Sequence, residues 1–289
     1  MGSTRNIRRR IRSVKNTAQI TKAMQTVAAS KMRKAQDAAL NGRPFAAQAI
    51  RLLANAARSL DDYEHPLLEV RPVRKRAVIL LTTDKGLCGG LNANLMREAS
   101  HYDRDTTLFI GAGKKGAQFI ARTGRRLAAE FSLEDNPTFG DAQAVARAAK
   151  DLFLQGEVDQ VEVLFPRFVN TLHQQPERLP LLPMESLWEE ELKDSPDADA
   201  KTTPVDYLFE PSPGEVMSAM LRSFLDFQIL QLLLETKASE HSARMVAMKN
   251  ATENADQLIK DLTLTYNKIR QADITTELLD ISVAQLAIN

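Results

Sequence analysis

From Glu215 to Asn289 the chain contains neither glycine nor proline. Those 75 residues far exceed an ordinary globular helix of about 10–14 residues. As one helix they would extend roughly 110 Å at 1.5 Å per residue. Within this stretch Met248, Ala251, Ala255, Leu258, Leu262, Thr265 and Ile269 alternate spacings of three and four. That is an a/d heptad seam. A lone helix cannot bury its seam, so a second helix is required. The other end of the chain supplies one. Residues 4–40 lack Gly and Pro, and Ile7, Ile11, Val14 and Ala18 recur at helical spacing, with Met24, Val27 and Ala28 continuing the face. Asn41-Gly42 and Pro44 are expected to interrupt this helix before it resumes through FAAQAIRLLANAARSL.

Residues 76–184 have a different texture. RAVILLTT, TLFIG and VEVLF read as strands, with RLAAEFS as a further candidate. LNANLMREAS, KGAQFIARTG and DAQAVARAAKDLFLQG read as the helices between them. This alternation predicts a mostly parallel sheet flanked by helices. ESLWEEELKDSPDADAKTTP, residues 185–204, has seven acids in its first fifteen positions and reads as an exposed loop. Strand-like DYLF follows and is stopped by Pro211 and Pro213. The expected fold class is therefore α/β plus long α: an antiparallel coiled coil of terminal helices with an α/β domain inserted between them. The expected divisions are 1–60, 61–212 and 213–289.

Net charge is only +1, yet residues 1–36 carry ten Lys or Arg and no acid. Such asymmetry points to an acidic, phosphate-like or anionic-lipid partner surface, or to a solvated helix face. The single cysteine, Cys88, excludes an internal disulfide framework and fits a reducing compartment. No apolar run reaches the roughly 20 residues of a membrane span. FLDFQILQLLLE is short and contains Asp226.

Two glycine-rich stretches carry the chemical candidates. GAGKKG, Gly111–Gly116, matches G-x-G-x-x-G between a strand and a helix, with Glu130 nineteen residues beyond Gly111. However, it follows the second strand, where a dinucleotide fingerprint belongs to the first. A Walker A loop is excluded, because Ala117-Gln118 stand where Lys-Ser/Thr is needed. In TTDKGLCGGLNANL, Thr82–Leu95, a nucleophilic Cys88 would need a pKa-lowering neighbour. The four histidines, His65, His101, His173 and His241, form no motif with it. Tight packing of a small residue is the favoured reading of Cys88. No catalytic dyad or metal-ligand cluster appears, so no catalytic, cofactor or metal residues are assigned. A mechanical or binding role is favoured.

Three stretches together carry a resemblance: IRSVKNTAQITKAMQTVAASKMRKAQ (11–36), TTDKGLCGGLN (82–92) and ARMVAMKNATENADQLIKDLTLTYNKIRQADITTEL (243–278). In this order, and across nearly the whole chain, they resemble the gamma subunit of bacterial F-type ATP synthase. The resemblance implies a Rossmann-like inserted domain without a bound dinucleotide. It also implies a non-catalytic rotor shaft at the cytoplasmic face of the inner membrane, one copy per complex. The implied partners are the alpha and beta subunits, the epsilon subunit and the membrane c-ring; the implied coupling is proton or sodium flow through the ring. The basic start, which also has the composition of a transit peptide, then belongs to the mature helix.

The resemblance further implies beta-subunit contacts at Arg270, Gln271, Thr275 and Glu277, and at Lys22 and Met24 of ITKAM. The acid-free face of Arg8, Arg9 and Arg12 suits attraction to an acidic loop. DYLFEP implies c-ring or epsilon contacts at Tyr207, Phe209 and Glu210, with Phe209 standing where the family often has Tyr. Ala284-Gln285 replace the usual Gly-Ala. The lone Cys88 leaves no pair for the plastid-type redox switch. Two alternatives remain at this level: a nucleotide-binding α/β enzyme and a basic coiled-coil module for nucleic acid.

Overall fold

The computed structural model describes residues 2–58, 65–184, 210 and 212–288. It contains helices α1 (Gly2–Arg58), α2 (Leu91–Ser100), α3 (Lys114–Arg122), α4 (Phe139–Leu154) and α5 (Pro213–Ile288). Its strands are β1 (Arg76–Leu81), β2 (Thr107–Ala112), β3 (Arg126–Phe131), β4 (Gln160–Phe168) and β5 (Gln174–Leu182). The fold class is the expected one, long terminal helices with an α/β layer between them in the chain. By contacts the chain forms two compact units, Met1–Ala29 with Arg244–Asn289, and Ser30–Ala243.

The first unit is a pair of helices. Thr21 and Thr252 share a hydroxyl–hydroxyl hydrogen bond of 2.8 Å across the seam. Ala18, Thr21 and Ala28 are buried on α1, Met248 and Ala255 on α5. Ile7, Ile11, Val14, Ile259, Leu262, Tyr266 and Ile269 are half-buried. Only an antiparallel pairing explains this. With Thr21 opposite Thr252, a parallel partner would run out at Ala29, leaving Leu262, Tyr266 and Ile269 nothing in the unit to pack on. The seam itself differs from expectation at alternate positions. Leu258 is 44% exposed and Thr265 is exposed, whereas Thr252, Ile259 and Tyr266 turn inward. Val27, expected on the α1 face, is 54% exposed.

The second unit holds the sheet, in order β3-β2-β1-β4-β5. β1, β2, β3 and β4 are mutually parallel, and β5 joins β4 antiparallel. The expected mostly parallel sheet is thus mixed, with an edge strand the sequence pattern did not reveal. QQPERLPLL carries two prolines, and register explains their tolerance. Pro166 lies opposite Pro176, and neither can donate a ladder bond. Their pair must be a non-bonded one. Pro180 has the same parity, so both β5 prolines aim their missing N–H away from β4, toward the free edge.

Apolar side chains fill both faces. Ile79, Ile110 and Val163 meet Val145 and Phe153 of α4 and Leu221, Phe224, Leu225, Ile229 and Leu233 of α5 in one core. Val78, Leu80, Phe109 and Leu164 meet Leu95 of α2 and Ile120 of α3 in the other. The α5 stretch that packs on the sheet is strongly apolar. One 18-residue window in α5 reaches mean hydropathy 1.2 with half of it buried, long and apolar enough to cross a membrane by length and composition. That differs from the expectation.

Helix ends follow local chemistry. α4 starts in a capping box between Thr138 and Asp141. Ser212 Oγ accepts from Glu215 N at the head of α5. The expected break at Asn41-Gly42 and Pro44 does not occur, and α1 carries Pro44 inside it. Gly42 serves packing instead: a Cβ there would lie 1.8 Å from Gln231 Nε2 and 3.3 Å from Phe227 Cζ. DYLF and the acidic 185–204 segment fall outside the described residues.

Candidate functional site

The glycine loops are filled by the protein itself. Gly113 has φ 114 and precedes α3. Its N–H donates to Phe131 O at 2.8 Å. The Thr82 hydroxyl donates to Gly113 O at 3.1 Å and accepts from Gly116 N at 2.8 Å. Asp84 Oδ1 accepts from Lys114 N at 2.8 Å, while Lys115 N donates to Thr83 O at 3.1 Å. A pyrophosphate on a dinucleotide fold uses just these helix-N-terminal N–H groups. Here a carboxylate, a hydroxyl and a carbonyl already hold them. Gly113 and Gly116 are required because a Cβ would fall 2.2 Å from Thr82 O and 2.7 Å from Thr82 Oγ1, respectively. GAGKKG is a strand-to-strand packing device.

Cys88 is buried, and the Asn92 amide donates to its sulfur at 3.4 Å. The same amide donates to Thr83 Oγ1 at 2.7 Å, and Thr83 Oγ1 donates to Lys85 O at 2.6 Å. In the same loop Leu87 sits at φ 62, 62% exposed. The buried thiol is tied into this turn. No cluster of three or more metal-ligating side chains occurs among the described residues.

The remaining candidates lie on helix surfaces. Arg8, Arg9, Arg12 and Lys22 are exposed on α1; Met24 is half-buried. Arg270, Gln271, Thr275 and Glu277 are exposed on α5. The Arg270 guanidinium lies 6.0 Å from the centre of the Tyr266 ring, and the Thr275 hydroxyl donates to Gln271 O. In the register set by Thr21 and Thr252, Arg8, Arg9 and Arg12 lie level with residues 261–265, within about 8–14 Å of Arg270 along the axis, whereas the other two α1 candidates are separated from it. Lys22 and Met24 lie level with residues 249–251, about 30 Å from Arg270 at helical rise. Glu210 is exposed at the bend before α5. Tyr207 and Phe209 lie outside the described residues, as do the side chains of Ala284 and Gln285.

Sequence reasoning missed the exposed apolar residues of these helices. Ile20 is 60% exposed, and so are Leu278 and Leu279. Leu264, Ile281 and Val283 are 63–65% exposed, and Ile274 nearly half. Ile20 and Leu264 stand off the heptad seam, where a free coiled coil carries polar residues; Ile274 to Val283 extend past the start of α1, since Gly2 lies level with Gln271 in the register that Thr21 and Thr252 set.

Comparison with known proteins adds the family. The family model described as ATP synthase matches residues 3–288. The ATP synthase gamma chain of Opitutus terrae is 48% identical over 292 residues, covering 99% of each chain. That of Roseiflexus castenholzii is 46% identical, covering 100% of this chain and 99% of its own. Among solved structures, a chain of the Euglena gracilis mitochondrial ATP synthase, from its OSCP/F1/c-ring assembly, matches with TM-score 0.72 and 20% identity. That match covers 99% of this chain and 95% of its own. A chain of the Tetrahymena thermophila mitochondrial enzyme, from its central stalk and c-ring, gives TM-score 0.60 at 24% identity, covering 80% and 99%. At these identities the structural likeness concerns the fold.

Proposed function

This chain belongs to the ATP synthase gamma-chain family, and from that membership we propose that it is the central rotor shaft of a bacterial F1Fo ATP synthase. It couples ion-driven rotation of the c-ring to the conformational cycle of the catalytic beta subunits. The carrying observation is full-length identity of 48% to a gamma chain, joined to an antiparallel helix pair with long uncovered faces. The subunit is non-catalytic; its glycine loops hold their own carboxylate and hydroxyl rather than a nucleotide. Its mechanism is differential contact. Each orientation presents a different surface to each beta subunit, and the difference in contact free energy shifts that site's affinity.

In this reading the chain has three parts, 1–60, 61–212 and 213–289. Arg270, Gln271, Thr275 and Glu277, with Lys22, Met24, Arg8, Arg9 and Arg12, meet the beta subunits. Tyr207, Phe209 and Glu210 meet the c-ring or the epsilon subunit. The complex sits at the cytoplasmic face of the inner membrane, with one gamma chain among alpha, beta and epsilon subunits. The nucleotide-enzyme and nucleic-acid alternatives gain no observation in their favour.

Reconstitution tests the proposal. The chain is mixed with bacterial alpha and beta subunits, and ATP-driven rotation of a bead is followed. Cys88 is buried, so the bead is attached at Leu154→Cys, a position 48% exposed at the end of α4. Unidirectional rotation is expected. Well-folded subunits that neither assemble with the chain nor rotate it would refute the shaft.

A further inference from the structure

Within the Ser30–Ala243 unit, α5 is fixed to the sheet by apolar packing from Met217 to Leu233. One turn later the contacts become ionic. Lys237 is 2% exposed, among the largest fully buried side chains. Its ammonium donates to Leu133 O at 3.2 Å and to Glu240 Oε2 at 3.1 Å. Leu133 lies in the short segment after β3, and two residues on, Asp135 accepts from Lys31 of α1 at 2.5 Å. The segment is wired to the sheet as well. Asp84 Oδ2 accepts from Ser132 Oγ at 2.9 Å and from Leu133 N at 3.2 Å, while its other oxygen holds the head of α3. One five-residue loop therefore receives α1, α5 and the loop after β1, whose Asp84 also holds the head of α3.

This junction is not close-packed. A cavity of about 400 Å³ lies among Asp84, Lys85, residues 132–136, Lys237 and Glu240. Load crossing it is therefore carried by polar ties, since an open cavity has no packed atoms to transmit strain.

We propose that the loop Ser132–Asn136, strapped to α1 by Lys31 and to α5 by Lys237, is a torque joint that sets how stiffly the α/β layer follows the terminal helices. This rests on the shaft reading. Lys31 and Lys237 are positioning residues: they act through the loop and touch no nucleotide. Coupling of this kind runs through discrete hydrogen bonds and ion pairs joining rigid elements.

The two straps differ in exposure, which gives the test its signature. The Lys31 and Asp135 side chains are each 41% exposed, whereas Lys237 and Glu240 are 2% and 3%. Exposed pairs are screened by salt; buried ones are screened far less. The measurement is the angular variance of the Leu154→Cys bead on the assembled complex, stalled without nucleotide. Lys31→Met is expected to raise the variance by less than about two-fold, the tie from α1 to the loop being lost while apolar packing and the Glu235 and Ser239 bonds still hold α5 to the sheet; Lys31→Arg restores it. Wild-type variance rises with salt toward the Lys31→Met value, which itself stays flat. Lys237→Met alone leaves Glu240 buried beside a lost cation and can fail to fold. Lys237→Met/Glu240→Gln therefore serves as the second variant, its fold checked by thermal melting; it is expected to raise the variance at every salt concentration. Equal variance in all folded variants overturns the joint while rotation of the wild type leaves the shaft standing. A wild type that neither assembles nor rotates overturns both.

Discussion

Replacing Gly113 with alanine isolates what GAGKKG is for. Gly113 has φ 114 and ψ 131, a region closed to L side chains, where strain of about 1–3 kcal/mol is usual. The new Cβ would also lie 2.2 Å from Thr82 O, 2.6 Å from Thr82 C and 2.7 Å from Thr82 Oγ1. Two of these are backbone atoms of the segment leaving β1, so relief requires the strand end to shift. Overpacking of that kind adds about 1–3 kcal/mol. The sum, roughly 2–6 kcal/mol, is a large part of a typical total of about 5–15. In urea, with a slope of about 3 kcal/mol per molar, the sheet unit's midpoint should fall by roughly 1–2 M. Circular dichroism on the full chain reads it. The rival cofactor role makes a different forecast. A nucleotide at a hundred times its Kd would stabilise the wild type by about 2.7 kcal/mol, and Gly113→Ala would abolish that gain. The packing argument expects no nucleotide-dependent shift in either protein. An unchanged midpoint in the variant, or a wild-type shift with NAD that the variant loses, refutes it.

Other outcomes follow from the same geometry. Asp84→Asn places an amide against a set of three donors, Lys114 N, Ser132 Oγ and Leu133 N; it should cost about 1.5–3 kcal/mol by chemical denaturation. Thr21→Val and Thr252→Val each break one seam hydrogen bond and should cost about 0.5–1.5 kcal/mol; the double variant should cost less than the two together, which a double-mutant cycle measures. Acid stability is set partly by two carboxylates. The Lys31 hydrogen bond holds Asp135 below its ordinary 3.8, and the backbone N–H groups of Lys75 and then Arg74 do the same for Asp159. A depressed carboxylate contributes fully above the unfolded value and is lost as pH falls through the folded one. Stability should thus hold down to pH near 4 and drop below it, and Asp159→Asn should blunt the drop in a pH series of thermal melts.

Local chemistry made much of the fold legible. LNANLMREAS became α2 from Leu91 to Ser100 without a residue's difference. The four parallel strands are visible because each is a compact, largely apolar run. What failed were places where a distant partner decides. Asn41-Gly42 and Pro44 look like a helix end because both residue types break isolated helices. Yet Gly42 is where Gln231 approaches to within a Cβ's radius, and tertiary packing keeps α1 whole through Pro44. β5 was invisible because its prolines read as loop, and only the parity set by Pro166 opposite Pro176 frees them. The proposed contact surface rests on the family resemblance. Bare periodicity flags the exposed apolar residues but not what covers them.

The seam error has the most bearing on function. Ala251, Leu258 and Thr265 repeat every seven residues, and so do Thr252, Ile259 and Tyr266. Both series satisfy a heptad, so periodicity alone cannot choose between them. The hydroxyl of Thr21 chooses, by bonding Thr252. That choice turns Leu258 and Thr265 outward on one flank of α5. Ile20 and Val27, also seven apart, stand exposed on one flank of α1. A symmetric polar rod would offer every surrounding site the same contacts, and equal affinity for two states shifts neither, however tight the binding. A one-residue rotation of the seam exposes apolar flanks beside a basic N-terminal face. The surface becomes uneven around the axis, and unevenness is the property a shaft needs if its orientation is to decide which of three sites is open.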